Sequence, residues 1–411
     1  MIRRPPRSTH STGRRQRQMC IRDRYTFGDA AILPIEAIYS LPVPDTSHTY
    51  AEEPHGSQEP EPYRLAAGIP VDISLARDAE WRYTPQGRAY QLLSVKAEGA
   101  RGIILYYRHF SIPEGGRLFI YNRDRSQLIG AFTSRNNPSG GYFATEMVSG
   151  DHIILEYDAP GGEKEAPLVE IYEVHYVYKD ISWTDPSGDC EVNINCPEGA
   201  AWQNEKQAVT RMVMKVGGGT FLCTGSLVNN TSQDSTPYLL TARHCGSSAT
   251  QQDYSQWVFH FNYEAHDCEN PTENPASSTI TGASLIAEAP NGTSNGSDFK
   301  LIRLDQKLPE SYNPYFAGWS RSELASETGV GIHHPRGAPK KISTYINPLV
   351  STDYSSSGQN PEGMYWRVVW SETENGHGVT EGGSSGSPIL DYTGKIIGTL
   401  TGGAASCSNL S

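Results

Sequence analysis

From Pro70 onward the chain sets short apolar runs between clusters of turn residues. RGIILYYRHF (101–110), GRLFIYN (116–122), QLIGAF (127–132), FATEMV (143–148), HIILEY (152–157) and LVEIYEVHYVY (168–178) each have the length and side-to-side alternation of a strand. Pro113-Glu114-Gly115-Gly116, Asn136-Asn137-Pro138 and Ala159-Pro160-Gly161-Gly162 separate most of them, because proline and glycine end regular structure there. The spacing predicts a β-sandwich over 64–180. His109, His152 and His175 sit singly in or beside these runs and read as structural side chains. At 180–189 (DISWTDPSGD) the alternation is lost, which places a domain boundary.

Composition agrees with strands and tight turns. Forty glycines and 27 prolines in 411 residues leave few long periodic stretches, so the whole chain is predicted to be all-β, and its length favours two globular units. No stretch approaches the roughly 20 apolar residues that span a bilayer, so membrane insertion is not expected. The net charge is −12, yet residues 1–24 hold eight Arg against one Asp and no core-forming pattern. Lacking aromatic interleaving, that leader does not read as a nucleic-acid arm. It resembles translated linker DNA fused upstream, and is set aside as an extraneous, disordered segment that displaces any signal peptide. Residues 25–63, acidic and Pro-rich over 51–62, read as linker.

Six of the seven cysteines (Cys190, Cys196, Cys223, Cys245, Cys268, Cys407) lie beyond the boundary, while Cys20 falls in the leader. No C-x-x-C pair occurs among the six, so disulfides are expected rather than zinc ligands, and with them an oxidising, extracellular compartment.

Three motifs in the C-terminal part carry chemistry. YLLTARHC (238–245) delivers His244 from the end of an apolar strand, SDFKLIRL (297–304) opens on Asp298, and EGGSSGSPIL (381–390) sets Ser385 among glycines before another strand. A serine hydroxyl is a poor nucleophile unless a base takes its proton as it attacks. His244 is suited to that role, with Asp298 holding its other ring nitrogen. The glycines allow a sharp turn that aims the N–H groups of Gly383 and Ser385 at one point, an oxyanion hole. The chain order His, Asp, Ser matches the chymotrypsin arrangement and not that of α/β-hydrolases or subtilisins.

GDCEVNINCPEG (188–199), FLCTGSLVNNT (221–231), YLLTARHCG (238–246), SDFKLIRL, GIHHPRGAPKKIS (331–343), GVTEGGSSGSPI (378–389) and GGAASCS (402–408), in this order, resemble the signature runs of bacterial lysyl endopeptidases and their trypsin-like relatives over 187–411. The resemblance implies a chymotrypsin-like double β-barrel of two six-stranded barrels with the site in the cleft between them. It also implies pairings of Cys190 with Cys407, Cys196 with Cys268 and Cys223 with Cys245. The run His333-His334 is scaffold in that family, so no metal or other cofactor is expected. Ser384 stands where pancreatic trypsins carry the aspartate that pairs with a new N-terminus, so that switch should be absent.

Segments 63–76 and 143–157 resemble the propeptide of these enzymes, which makes 64–180 a pro-domain to be removed near 180–189. The chain is expected to be incomplete at its C-terminus, with the pocket wall beyond Ser411. Thr401, Gly402 and Gly403 are expected to receive substrate, Thr401 replacing the histidine typical of lysine-specific members, and a basic P1 residue, Lys or Arg, is the expected preference. The reading is a secreted, monomeric serine endopeptidase made as a zymogen and acting on proteins or peptides. Its alternative is a catalytically silent β-rich protein that binds carbohydrate or a cell surface.

Overall fold

The computed structural model describes residues 38–44, 60–162, 164–179, 185–290, 297–354 and 363–410. The basic leader with Cys20, most of the 25–63 linker, and residues 180–184 of the boundary lie outside them. The described chain is nearly all β, with two four-residue α-helices at Leu75–Asp78 and Gln251–Tyr254. No described helix is long and apolar enough to cross a membrane.

The N-terminal part holds β1 (Ile38–Leu41), β2 (Tyr63–Ser74), β3 (Trp81–Tyr83), β4 (Ala89–Ala97), β5 (Gly102–Ser111) and β6 (Arg117–Asn122). It continues with β7 (Leu128–Phe132), β8 (Phe143–Ala144), β9 (Val148–Ser149), β10 (His152–Asp158) and β11 (Leu168–Val177). One sheet runs β1-β4-β10-β6-β7, with β3 on β4, and it faces β2-β11-β5. The alternation of β10 explains the packing. Ile153, Leu155 and Tyr157 enter the core shared with Leu93, Val95, Ile103, Leu105 and Val174, whereas Ile154 packs on the opposite face with Tyr90, Phe119 and Tyr121. Burying each such aliphatic side chain is worth about 1.5–3 kcal/mol, which favours the sandwich over slipped registers that would turn these residues outward.

The run 143–148, predicted as one strand, is split. Ala144 pairs with Tyr106 and Val148 with Ile103, so β8 and β9 flank a bulge on β5. The bulge turns Glu146 away from its own sandwich, toward a hydrogen bond from Thr279 Oγ1 at 2.7 Å.

Residues 63–74 lack clean alternation and contain Pro70, yet they form the longest described strand. Pro70 sits where β2 and β11 shift register, a place where the missing N–H breaks no regular ladder. The other edge of β2 pairs with residues 219–222 beyond the boundary, Ala66 opposite Thr220 and Tyr63 opposite Leu222. A single 12-stranded sheet therefore runs through both halves of the chain. Leu65, Ala66, Ile104 and Val177 pack there against Val213, Leu222 and Val258. The polar contacts at this junction are specific. His175 Nδ1 lies 2.7 Å from Thr220 Oγ1, Lys215 Nζ lies 2.8 Å from Glu173 Oε2, and Gln256 Nε2 donates to Phe143 O.

Beyond the boundary come β12 (Val192–Asn193), β13 (Val209–Val216), β14 (Gly219–Leu227), β15 (Tyr238–Ala242), β16 (Val258–Phe261), β17 (Ser278–Thr281), β18 (Ala283–Glu288) and β19 (Phe299–Leu304). Strands β17-β16-β13-β14-β15-β19-β18 form one curled layer whose outer strands, β17 and β18, follow each other through Gly282 at φ +98°. The last part contains β20 (Gly329–His333), β21 (Lys341–Tyr345), β22 (Val350–Thr352), β23 (Tyr365–Arg367), β24 (Pro388–Asp391) and β25 (Ile396–Thr399). Its sheet is β12-β21-β20-β24-β25, with β22-β23 a separate hairpin. Among the described residues the two layers thus hold seven and five strands where two sixes were expected. One apolar cluster, including Met212, Trp257, Ile302, Ile332, Ile342 and Leu390, spans both and fixes the seam between them.

Candidate active site

His244 and Asp298 are brought together by strand pairing. β15 and β19 run antiparallel with Ala242 opposite Phe299, so the residues just past one end and just before the other must meet. The ladder continues through Arg243 N–H to Asp298 O at 2.7 Å. The carboxylate then accepts the backbone N–H of His244 with Oδ1 at 2.9 Å and faces Nδ1 with Oδ2 at 2.5 Å. Because that carboxylate accepts, Nδ1 carries the ring hydrogen and Nε2 is left as the accepting nitrogen. Both side chains are buried, and His244 Nε2 has no hydrogen-bond partner among the described residues.

Ser385 lies in a tight turn ahead of β24. Ser384 N–H donates to Glu381 O and Ser387 N–H to Ser384 O, both at 2.9 Å. Gly383 and Gly386 have φ of +92° and +81°, a region costly for any residue with a Cβ. At Gly386 a Cβ would also stand 2.1 Å from Thr241 Oγ1 and 2.7 Å from Ala242 N, so only glycine lets this turn press against the strand that presents His244. Thr224 of β14 ties the turn down from the other side: its N–H donates to Ser385 O at 2.8 Å and its hydroxyl to Gly383 O at 3.0 Å. Among the hydrogen bonds of the described residues, the N–H groups of Gly383 and Ser385 donate to none. The arrangement holds an accepting imidazole nitrogen, a serine and two uncommitted N–H donors at one seam, which are the parts needed for acyl transfer.

The three disulfides are Cys190–Cys407, Cys196–Cys268 and Cys223–Cys245. They are the pairings implied by the family resemblance. The last ties β14 to the residue behind His244. Ligand atoms of Cys223, His244 and Cys245 lie within 4.8 Å of one another, but both sulfurs are spent in that bond and offer a metal no thiolate. The side chains of His333 and His334 diverge: His333 bonds Ser384 and Ser343, while His334 Nδ1 faces Ala338 O at 2.9 Å. Burial, with Lys341 adding to it, holds the His333 imidazole down to about 3, and burial beside Lys340 keeps His334 neutral as well.

Gly386 N–H donates to Leu400 O and Leu400 N–H to Ser387 O, so the chain leading to Thr401, Gly402 and Gly403 runs beside the serine turn. Thr401 is buried, and the two glycines are exposed.

Several contributors have no local signal in the sequence. Tyr354 closes over Gly402, where a Cβ would meet its hydroxyl at 2.6 Å, and Trp366 flanks Gly398. Lys300 is completely buried and donates to Gly246 O and Tyr254 OH, each at 2.7 Å, bracing the loop behind His244. Glu381 accepts from Gly188 N–H at 2.9 Å and pairs with Arg336. The acidic group that meets the segment just past the boundary is thus three positions before Ser384. Only alternation in KLIRL, which places Lys300 on the face of Ile302 and Leu304, hinted at any of these.

The family model of the lysyl endopeptidase C-terminal domain matches residues 184–411. Lysyl endopeptidase of Pseudomonas aeruginosa is 28% identical over 352 residues, covering 80% of this chain and 72% of that protein. Secreted RxLR effector protein 73 of Plasmopara viticola is 27% identical over 319 residues, 72% of this chain and 73% of the other. Among solved structures, Rv3671c from M. tuberculosis H37Rv is similar over 53% of this chain and 82% of its own at 15% identity and a TM-score of 0.30. Deg5 is similar over 50% and 84% at 13% identity and a TM-score of 0.33. With the match to the family model extending over more than half of its length, the chain belongs to the lysyl endopeptidase family.

Proposed function

We propose that this serine endopeptidase cleaves peptide bonds through an acyl-enzyme on Ser385. His244 Nε2 takes the hydroxyl proton during attack and returns it to the leaving amine, and Asp298 holds the ring and offsets the imidazolium charge. The N–H groups of Gly383 and Ser385 receive the oxyanion, and Thr401–Gly403 align the substrate backbone by strand addition. The observation that carries this reading is the buried 2.5 Å contact of His244 Nδ1 with Asp298 Oδ2, which leaves Nε2 as the accepting nitrogen, without a partner among the described residues. A basic P1 residue is proposed from family membership, and secretion from the three disulfides, which persist in oxidising compartments.

We further propose that 64–180 is a pro-region. None of the hydrogen bonds of His244, Asp298 or Ser385 reaches it, whereas β2 completes the edge of β14. That pattern supports a folding role more than a plug in the cleft. The test is labelling by phenylmethylsulfonyl fluoride with peptide hydrolysis by the full chain. Modification of Ser385, loss of hydrolysis in Ser385→Ala and a product starting near Ser187–Cys190 are expected. Hydrolysis untouched by Ser385→Ala would refute the mechanism, and a fully active intact chain would refute the pro-region.

A further inference from the structure

Behind the serine turn lies a second chain of polar side chains that the mechanism above does not use. Ser384 turns its hydroxyl inward, where it lies 2.8 Å from His333 Nδ1, and His333 Nε2 lies 2.9 Å from Ser343 Oγ. Ser343 in turn donates to Val379 O at 2.8 Å. Glu191 stands 3.8 Å from His333 Nε2, with both side chains completely buried and, among the described residues, no side-chain hydrogen bond to either Glu191 oxygen. A carboxyl with no side-chain hydrogen bond in such a place needs a reason, since burying it costs stability that an apolar residue would not.

We propose that Glu191 and His333 are positioning residues for the serine turn, acting through Ser384. The inference rests on the role proposed for Ser385. Its direction follows from the hydrogens. Val379 O can only accept, so the Ser343 hydroxyl points at it and Ser343 Oγ must receive Nε2–H from His333. Nδ1 is then an acceptor, and the Ser384 hydroxyl donates to it. With its side chain held from inside and its own N–H and C=O bridging Glu381 and Ser387, Ser384 sets the orientation of the two peptide groups it shares with its neighbours, which carry Gly383 O and the Ser385 N–H donor.

The device works only while His333 is neutral, because a proton on Nδ1 would turn the Ser384 hydroxyl away. Glu191 must therefore also be neutral, since an anion 3.8 Å away would draw a proton onto the ring. Burial, followed by the neighbouring Glu381 carboxylate, pushes the Glu191 carboxyl well above its usual range with Asp185 adding to it, while Lys341 and a hydrogen bond from the Val379 backbone oppose them. Glu381 is itself held by Arg336, and Lys341 by Asp185, so the surrounding charges are paired and the Glu191–His333 pair is left uncharged. The raised folded-state value means that the neutral form is present below that value and is lost as the pH climbs through it.

The experiment uses the full chain with active sites counted by phenylmethylsulfonyl fluoride. Glu191→Ala and Ser384→Ala are expected to lower kcat by about 10- to 100-fold with KM changed less than about twofold, because the oxyanion donors act in the transition state. Glu191→Gln, which stays neutral, should recover kcat to within about threefold of the parent and lose the decline of kcat that follows ionisation of Glu191 as the pH rises. Unchanged kcat in Glu191→Ala and Ser384→Ala, alongside a dead Ser385→Ala, would overturn the positioning role and leave the mechanism standing. Hydrolysis that survives Ser385→Ala would overturn both. If Glu191→Ala does not fold, the pH profile of Glu191→Gln decides: a decline of kcat with rising pH identical to that of the parent overturns the proposal.

Discussion

Asp298 meets His244 twice, with Oδ1 on the backbone N–H at 2.9 Å and Oδ2 on Nδ1 at 2.5 Å. One carboxylate thus fixes both where the histidine sits and which nitrogen carries its hydrogen. Asp298→Asn keeps the shape but presents an N–H where an acceptor is required. It should lower kcat by about 10⁴ with KM little changed, measured on a peptide substrate, and slow labelling of Ser385 in proportion. Equal loss in kcat and in folded protein would instead mark Asp298 as structural.

The Cys223–Cys245 bridge closes a loop with a sequence separation of 22 and ends on the residue after His244. Replacing both cysteines by serine is expected to cost about 3 kcal/mol, read from urea unfolding of the full chain. Activity should fall more steeply with temperature than in the parent, since the loop bearing the imidazole loses its anchor to β14.

Lys300 carries a fully buried ammonium that donates to Gly246 O and Tyr254 OH and forms an ion pair with Glu288. Lys300→Ala leaves these groups unpaired in the interior and should destabilise the chain by about 3–5 kcal/mol. Lys300→Met fills the volume without the charge and should recover part of that loss. A Tm unchanged in Lys300→Ala would show that water replaces the side chain.

The junction of the two halves should be sensitive to acid. Burial holds the His175 imidazole below its ordinary value of 6.5, against the pull of Glu173. A value lowered on folding means that stability is complete above 6.5 and is lost as the pH falls through the folded-state value. Hydrogen exchange at Ala66, Ala67 and residues 219–222, corrected for intrinsic rates, should therefore be faster at pH 5 than at pH 7.5. His175→Gln should flatten that dependence, and an unaltered profile would assign it elsewhere.

Local pattern carried a good deal of this protein. The strand runs at 101–110, 116–122, 127–132, 152–157 and 168–178 emerge close to β5, β6, β7, β10 and β11, because alternation follows from which face meets the core. Pattern failed at 143–148, where spacing alone cannot show that β5 has one residue fewer to offer. It also passed over residues 63–74, whose strand state is imposed by partners on both edges and not by side-chain periodicity.

The sequence by itself determined the all-β class, the motifs that carry His244, Asp298 and Ser385 in that order, and the six cysteines that lie beyond residue 189. These are properties of short segments, where residue type restricts backbone and chemistry directly. Only the tertiary structure decided that β2 joins the two halves into one sheet, that Lys300 and Thr224 brace the site, and that Glu191 lies buried behind Ser384. Such relations join residues as much as about 190 positions apart, as Gly188 and Glu381 are. They depend on which surfaces are driven together when water is excluded, and no local pattern contains that information.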